Sequence, residues 1–461
     1  MTKALMEGLY EIRVEDLTAD DLKAVRSLFL DYIGVTAAGA HTETAQVAAR
    51  TLLKNRSEDR RQPLIGTDIW AGPVDAAFAN AVAGHCLEFD DTHSGASLHP
   101  GVVVFSAALA ASDLAGVSSN RFVEGVVTGY ELMCRVGRAV DATAHYRRHF
   151  HPTATTGYLA AAATGARIFG LNAEKASEAV GIACTMAAGS IEFLSDGAWT
   201  KRLHPGLAVR SGLFAAQLVM EGFRGTLDGI GGTHGFLATF TDKPHPEKLL
   251  DGLGKSRLEV RNTSIKAHGC CRYNQGPVDA VLEIRTRESL RAADVQTVRV
   301  GVVTPALTLV WNPPELKRHP ASVVDAQFSL PYSVAIALTE GRAHPSEFEP
   351  VRANKELQRL MDSVECIADP ELDRHYPDEW RSWMEITAFD GRRFMAQVNE
   401  PKGEPGNPFS AEELYRKVTG LTASVYSPTR LKEIAARVAT LPDGASMDRL
   451  VQLLATDLNA A

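Results

Sequence analysis

No stretch of the 461 residues is both apolar and long enough to span a bilayer. The nearest, residues 180–193, is short, rich in Ala and Gly and broken by Glu192, and reads as a buried helix. A secretory leader is not expected either, because Lys3, Glu7, Glu11 and Arg13 interrupt any apolar run at the start. There is no basic excess: 48 Lys and Arg against 56 Asp and Glu give a net charge of −8, so no nucleic-acid partner is expected. Cysteine is scarce. The six thiols (86, 134, 184, 270, 271 and 366) form no C-x-x-C pair, and adjacent Cys270 and Cys271 are poorly placed to bridge each other. Reduced thiols in a cytoplasmic protein are the simplest expectation. Dinucleotide fingerprints and Gly-x-Ser-x-Gly elbows are missing, and Gly229-Ile-Gly-Gly-Thr-His-Gly235 lacks the Gly-Lys-Ser/Thr of a phosphate loop and reads as a turn.

What is present is a chain too long for one ordinary core, with the composition of a two-domain globular protein. Thr18 and Asp21 form a capping box ahead of Leu22, Val25, Leu28, Phe29, Tyr32 and Ile33 at helical spacing, with Gly34 weakening the end of that helix. From residue 73 to 240, Ala- and Gly-rich segments (74–85, 102–114, 157–169, 173–189) predict closely packed helices, since small residues let helices approach. The texture changes near Leu258. Residues 296–304 alternate as a strand does, and 383–389 with 393–398 flank the hairpin signal Asp390-Gly391. Helices are expected over 325–338 and 353–361. After Pro401, Ser410 with Glu413 and Ser427-Pro428 open two more helices, and 447–458 a short last one. The expected organisation is an all-α domain over 1–257, an α+β domain over 258–400, and C-terminal helices over 401–461 that return to the first domain.

Five segments carry chemistry. Residues 84–101 (GHCLEFDDTHSGASLHPG) gather Glu88, Asp90, Asp91, Thr92, His85, His93 and His99 at a helix-to-loop junction. Carboxylates beside imidazoles tune each other's proton affinity, which acid–base chemistry needs; helix capping by Asp91 and Thr92 is the plainer account. His145 and His149 stand at i, i+4, but Tyr146 fills the position where a metalloprotease needs Glu, so zinc is not expected. His151 precedes Pro152 at the mouth of an Ala-rich helix, where anions are favoured. Lys201, Arg202 and His204 supply cationic or donor groups for carboxylates. Residues 266–273 (KAHGCCRY) bring Arg272 with His268, and the thiol spacing excludes an iron–sulfur cluster. Tyr332 follows Pro331, where a helix kink is expected.

Together these segments resemble the MmgE/PrpD family over nearly the whole chain. The carriers are FDDTH at 89–93 with His99-Pro100, His151-Pro152 before an Ala-rich helix, and Thr200-Lys201 with His204 and Gly206. Cys-Arg-Tyr at 271–273 and Ala326-Gln-Phe-Ser-Leu-Pro-Tyr332 complete the set. The resemblance implies a large all-α domain, a smaller α+β lid domain, a homodimer, and an active site in the interdomain cleft working without metal or organic cofactor. It assigns catalytic roles to Asp91, Thr92, His99, His151, Lys201, His268 and Tyr332. Substrate contacts are expected from Glu88, His93, Arg202, His204, Arg272 and Gln275. Two positions depart from the family pattern: Glu88 stands where Asp is expected, and Gln275 where His is, leaving His268 as its substitute. The implied chemistry is proton transfer next to a carboxylate of a small polycarboxylic acid. The expected outcome is a lyase reaction, dehydration or decarboxylation, with epimerisation of a substrate such as iminodisuccinate as the alternative. A non-catalytic carboxylate-binding protein is the alternative from another class. Which histidine is base and which acid stays open at this point.

Overall fold

The structure, a computed structural model, describes residues 1–54, 61–255, 257–348, 351 and 354–457. The first helix expected from its cap runs Ala19–Gly39, with the Thr18 hydroxyl and Asp21 carboxylate closing the box. Gly34 does not end it. A Cβ there would sit 2.9 Å from Val418 on the C-terminal Ala411–Thr422 helix, so this glycine permits close helix contact.

Around Pro152–Ile168 pack the helices Gly101–Ala115, Ser119–Ala139, Ala173–Met186 and Thr200–Met220; Pro73–His85 lies against Gly101–Ala115 and Thr200–Met220 and carries Ala19–Gly39 on it. Their small residues set the spacing. At Gly212 a Cβ would meet Ala161 Cβ at 2.5 Å and the Tyr158 carbonyl at 2.6 Å, so the 152–168 and 200–220 helices touch backbone to backbone there. The same core takes in Leu414, Val418, Leu431, Ile434 and Leu450 from the chain's last helices. Ser410 and Ser427 cap two of those helices as expected, and the last runs Asp448–Leu453; Leu458 lies outside the described residues. No helix among the described residues is long and apolar enough to cross a membrane.

A second core belongs to the middle of the chain. Its four-stranded sheet has the order Val364–Ala368, Val295–Val302, Ser382–Ala388, Arg393–Val398; the first pair is parallel and the others antiparallel. Gly391, at φ +87°, makes the turn that Asp390-Gly391 announced. The helices Gln275–Arg287, Leu330–Glu340 and Lys355–Asp362 complete this core. Ala353, within an expected helix, lies outside the described residues. The single helix expected over 325–338 is two, Val323–Gln327 and Leu330–Glu340, because Ser329 caps the second through the Tyr332 amide. Pro331 therefore sits in a first helical turn, where its missing N–H costs nothing, and kinks no helix. Thr92–His93 pairs antiparallel with Thr263–Ser264, a segment flanked by Val260 and Ile265 of the first core, shortly before the chain enters the second core at Cys270.

Candidate active site

The chain from 86 to 100 runs between two helix ends, His85 and Gly101. Leu87 and Phe89 pack with Val35 in a small apolar cluster. The residue between them, Glu88, adopts φ +51°, a left-handed conformation that a non-glycine residue holds only when its surroundings enforce it. Here the enforcement is electrostatic. The Glu88 carboxylate pairs with Lys201 in the first turn of the Thr200–Met220 helix. Lys266 Nζ donates to the Glu88 carbonyl at 2.9 Å and lies 3.5 Å from its Oε2. All three residues are buried. Burial pushes the Glu88 carboxyl upward, but the ammoniums of Lys201 and Lys266 outweigh it and hold the group at about 2.

Glu88, Thr92, His99, His151, Lys201 and Arg272 line one cavity at the junction of the two cores. The remaining wall is largely apolar or aromatic, including Ile191, Phe193, Leu194, Leu309, Phe328 and Trp380, with Tyr146 and Cys271. Its volume is about 40 Å³, room for a few waters at roughly 10–15 Å³ each. That is less than a polycarboxylate needs, so binding requires some of these walls to shift.

The imidazoles are neutral in this closed state. Burial lowers His99 to about 3, and burial with the neighbouring His204 holds His151 well below its usual range. His99 Nδ1 lies 2.8 Å from the Asp91 carbonyl, which can only accept, so Nδ1 carries the proton and Nε2 is left as the base. Thr92 Oγ1 is 3.2 Å from the same Nδ1. His151 Nδ1 meets His204 Nδ1 at 3.1 Å, one donating and the other accepting, which leaves the second nitrogen of His151 for the cavity. Behind them, His85 packs on both rings and ties its Nδ1 to Asp90 at 2.7 Å.

This geometry has a stability consequence. His99 (about 3), His145 and His204 (each about 4) and His151 stay neutral in the native state, whereas the unfolded chain protonates all four below about 6.5. Burial raises Asp91 to about 7, and raises Asp31 and Glu131 too; these retain protons that the unfolded chain releases, and so oppose the trend. Below roughly pH 5.5, where the unfolded chain has protonated all four, four protons against at most three leave about one in favour of the unfolded state. Stability is therefore expected to fall by about 1.4 kcal/mol per pH unit between roughly pH 5.5 and 4.5. Urea midpoints at pH 5.5 and 4.5 check this, and a pH-independent midpoint would refute it.

The family model for the MmgE/PrpD N-terminal domain matches residues 3–249, and that for the C-terminal domain matches 268–441. The chain belongs to the MmgE/PrpD family. It is 28% identical to the cis-aconitate decarboxylase-like protein oryM of Aspergillus oryzae, over 99% of this chain and 98% of that protein. It is 27% identical to a cis-aconitate decarboxylase of Aspergillus terreus, over 98% and 96%, and 24% identical to that of Homo sapiens, over 98% and 94%.

Seven residues expected at the site of an MmgE/PrpD protein do not line the cavity. The Asp91 carboxylate accepts from the Gly101 amide at 2.9 Å and from Tyr130 at 2.6 Å, capping the helix behind the site. Tyr332 is buried in the second core, where its hydroxyl donates to the Glu347 carbonyl at 2.9 Å. His268 turns to Asp279 at 2.8 Å. Gln275 accepts from the Ala267 and His268 amides and donates to the His268 and Cys270 carbonyls, a brace of two accepted and two donated bonds, where a neutral imidazole has one donor N–H and one acceptor nitrogen. His93 pairs with Glu259 at 2.8 Å, and Arg202 bonds Thr44 and Gln327. His204 stands behind His151 and orients it.

Lys266 and Tyr146 were missed. Both stand in segments singled out for other residues, Lys266 two before His268 and Tyr146 beside His145. The one signal for Lys266 was a lysine amid apolar and small neighbours, Ile265 and Ala267. His145 and His149 form no metal pair; His145 bonds the Phe240 carbonyl and Thr155. Among the described residues no group of three or more His, Cys, Asp or Glu is arranged to hold a metal ion.

Proposed function

We propose that this protein is a cofactor-independent lyase that removes carbon dioxide from a small unsaturated tricarboxylate, with cis-aconitate the first candidate. The observation that carries the reading is the composition of one cavity: two cations, Lys201 and Arg272, the ionised Glu88 paired with Lys201, two neutral imidazoles, and a largely apolar wall. Lys201 and Arg272 supply seats for carboxylates that stay. A carboxylate beside Ile191, Phe193, Leu309 or Phe328 has no partner, and losing it as neutral carbon dioxide relieves that desolvation.

The step balances without a cofactor. The electron pair of the C–CO₂ bond moves into the adjacent alkene, the double bond shifts, and the far alkene carbon takes one proton. The cations stabilise the charge that spreads onto the retained carboxylates as the bond breaks. The proton comes from His99 or His151. Each is neutral in the empty cavity, and each is driven toward the charged form when a trianion arrives beside it. Thr92, within reach of His99 Nδ1, helps fix the ring. The cis-aconitate decarboxylase relatives support this outcome over dehydration.

Proton NMR in deuterated water tests it, with cis-aconitate, citrate, 2-methylcitrate and iminodisuccinate as the panel and Lys201→Met as control. Carbon dioxide release from cis-aconitate with one deuterium per product molecule is expected. Deuterium exchange without net loss would mark an epimerase instead. No change in any panel member would sink the substrate class.

A further inference from the structure

Arg272 stands between two spaces. On one side it lines the closed cavity; on the other lies a cleft of about 350 Å³ lined by Glu404, Glu400, Asn399, Arg138 and His93, and Trp380 forms a wall of both. The guanidinium lies over the Trp380 ring, 4.8 Å from its centroid. Its Nη2 donates to Glu404 at 2.6 Å and lies 3.4 Å from Ser94 Oγ. Ser94 in turn donates to the other Glu404 oxygen at 3.3 Å.

Arg272 is 5% exposed, and its Nε has no hydrogen-bond partner among the described residues. A buried N–H left without a partner has given up its water and gained no bond in exchange. A guanidinium offers its donors as a planar fork, and a carboxylate satisfies two at once. Glu404 takes Arg272 only through Nη2, so half of a two-pronged carboxylate seat is filled and the other half is idle.

We infer that Glu404 is a positioning residue: an internal carboxylate that holds Arg272 in the empty enzyme and yields it to a terminal carboxylate of the substrate. The inference rests on the reading of the cavity as a tricarboxylate site. Glu404 lies in a turn between Pro401 and Pro408. The turn is anchored on both sides of it by the Gly403–Asn407 and Ile265–Gly403 backbone bonds, so the side chain can leave without unravelling the loop. When the incoming carboxylate engages Nε and Nη2, Glu404 turns into the solvent-open cleft. Binding then trades one charge pair for another of better geometry, and a ligand with no carboxylate at that position leaves Arg272 on Glu404. The internal carboxylate thus keeps Arg272 paired and oriented in the empty site, at a cost in affinity only for ligands that displace it.

The test uses the full-length protein and tricarballylate, a saturated tricarboxylate with no alkene to react, so that binding is read apart from turnover. Calorimetry is expected to show tighter binding by about tenfold in Glu404→Gln, a smaller gain in Glu404→Asp, and weaker binding in Arg272→Met. In the Arg272→Met background Glu404→Gln is expected to change nothing. The gain for methylsuccinate, which is tricarballylate without one terminal carboxylate and leaves Arg272 on its internal partner, should be smaller than that for tricarballylate. Glu404→Gln binding no tighter than the unmutated protein would overturn the latch while leaving the tricarboxylate reading intact. Should neither the unmutated protein nor Glu404→Gln bind tricarballylate, the tricarboxylate reading falls and the latch falls with it. If Glu404→Gln fails to fold, Glu404→Asp carries the same comparison.

Discussion

Replacing Lys201 by methionine is expected to lower kcat/KM by about 10³ while leaving a folded protein. The rate loss follows from removing a preorganised cation from a buried site, where such groups are worth roughly 10²–10³ each and more when substrate binding also depends on them. The fold survives because of the local charge balance. Glu88 faces two ammoniums, and without Lys201 it keeps Lys266, which donates to its carbonyl and faces its carboxylate. The opposite change is far worse for stability. Glu88→Gln leaves Lys201 and Lys266 buried together with no anion between them, and breaking a buried pair from one side costs about 3–5 kcal/mol. Adding Lys201→Met to Glu88→Gln removes one of the two unpaired cations, so the double variant is expected to regain about 2 kcal/mol over Glu88→Gln alone. Urea denaturation of the four proteins reads the cycle. Additive losses would show that the three groups do not act as a unit.

The second large effect concerns the neutral imidazoles. Asparagine at position 99 or 151 is expected to lower kcat by about 10²–10⁴, the usual worth of a positioned acid or base. A loss of activity alone does not name the proton donor, so the discriminating measurement is proton uptake. His99 sits at about 3 in the empty protein and His151 well below its usual range, so neither carries a proton at pH 7. A bound trianion raises both, and the one nearer the accepting carbon takes up a proton. Calorimetric titration of tricarballylate in buffers of different ionisation enthalpy should show uptake of about one proton in the unmutated protein. The uptake should vanish in only one of the two variants, and that variant identifies the acid. Binding with no proton uptake at pH 7 would remove both histidines from that role.

The resemblance and the local signals were legible for different reasons. Thr18 with Asp21, Ser410 with Glu413, and Asp390-Gly391 act within a few residues, so their outcome hardly depends on the rest of the chain. Thr92, His99, His151, Lys201, Arg272 and Glu88 were named from chemistry and resemblance, and all six line the cavity. The reading failed where a side chain had a stronger competing partner. Asp91 found a helix N-terminus and a tyrosine hydroxyl, Tyr332 a backbone carbonyl, and His268 an aspartate. In each case the polar atom is satisfied where it lies, and residue type alone cannot reveal which partner the fold brings nearest.

The sequence alone determined the alternation of helix and strand, the caps, the hairpin turn and the set of titratable groups, because these follow from local propensity and composition. Only the tertiary structure decided which of those groups share a cavity, since Glu88, Lys201 and Arg272 come from three distant parts of the chain. It also decided their charge states: burial turns the imidazoles neutral, and two ammoniums keep the Glu88 carboxylate ionised. The physical reason is that a charge's energy depends on the water removed and the countercharges brought near, and both are properties of packing across the chain.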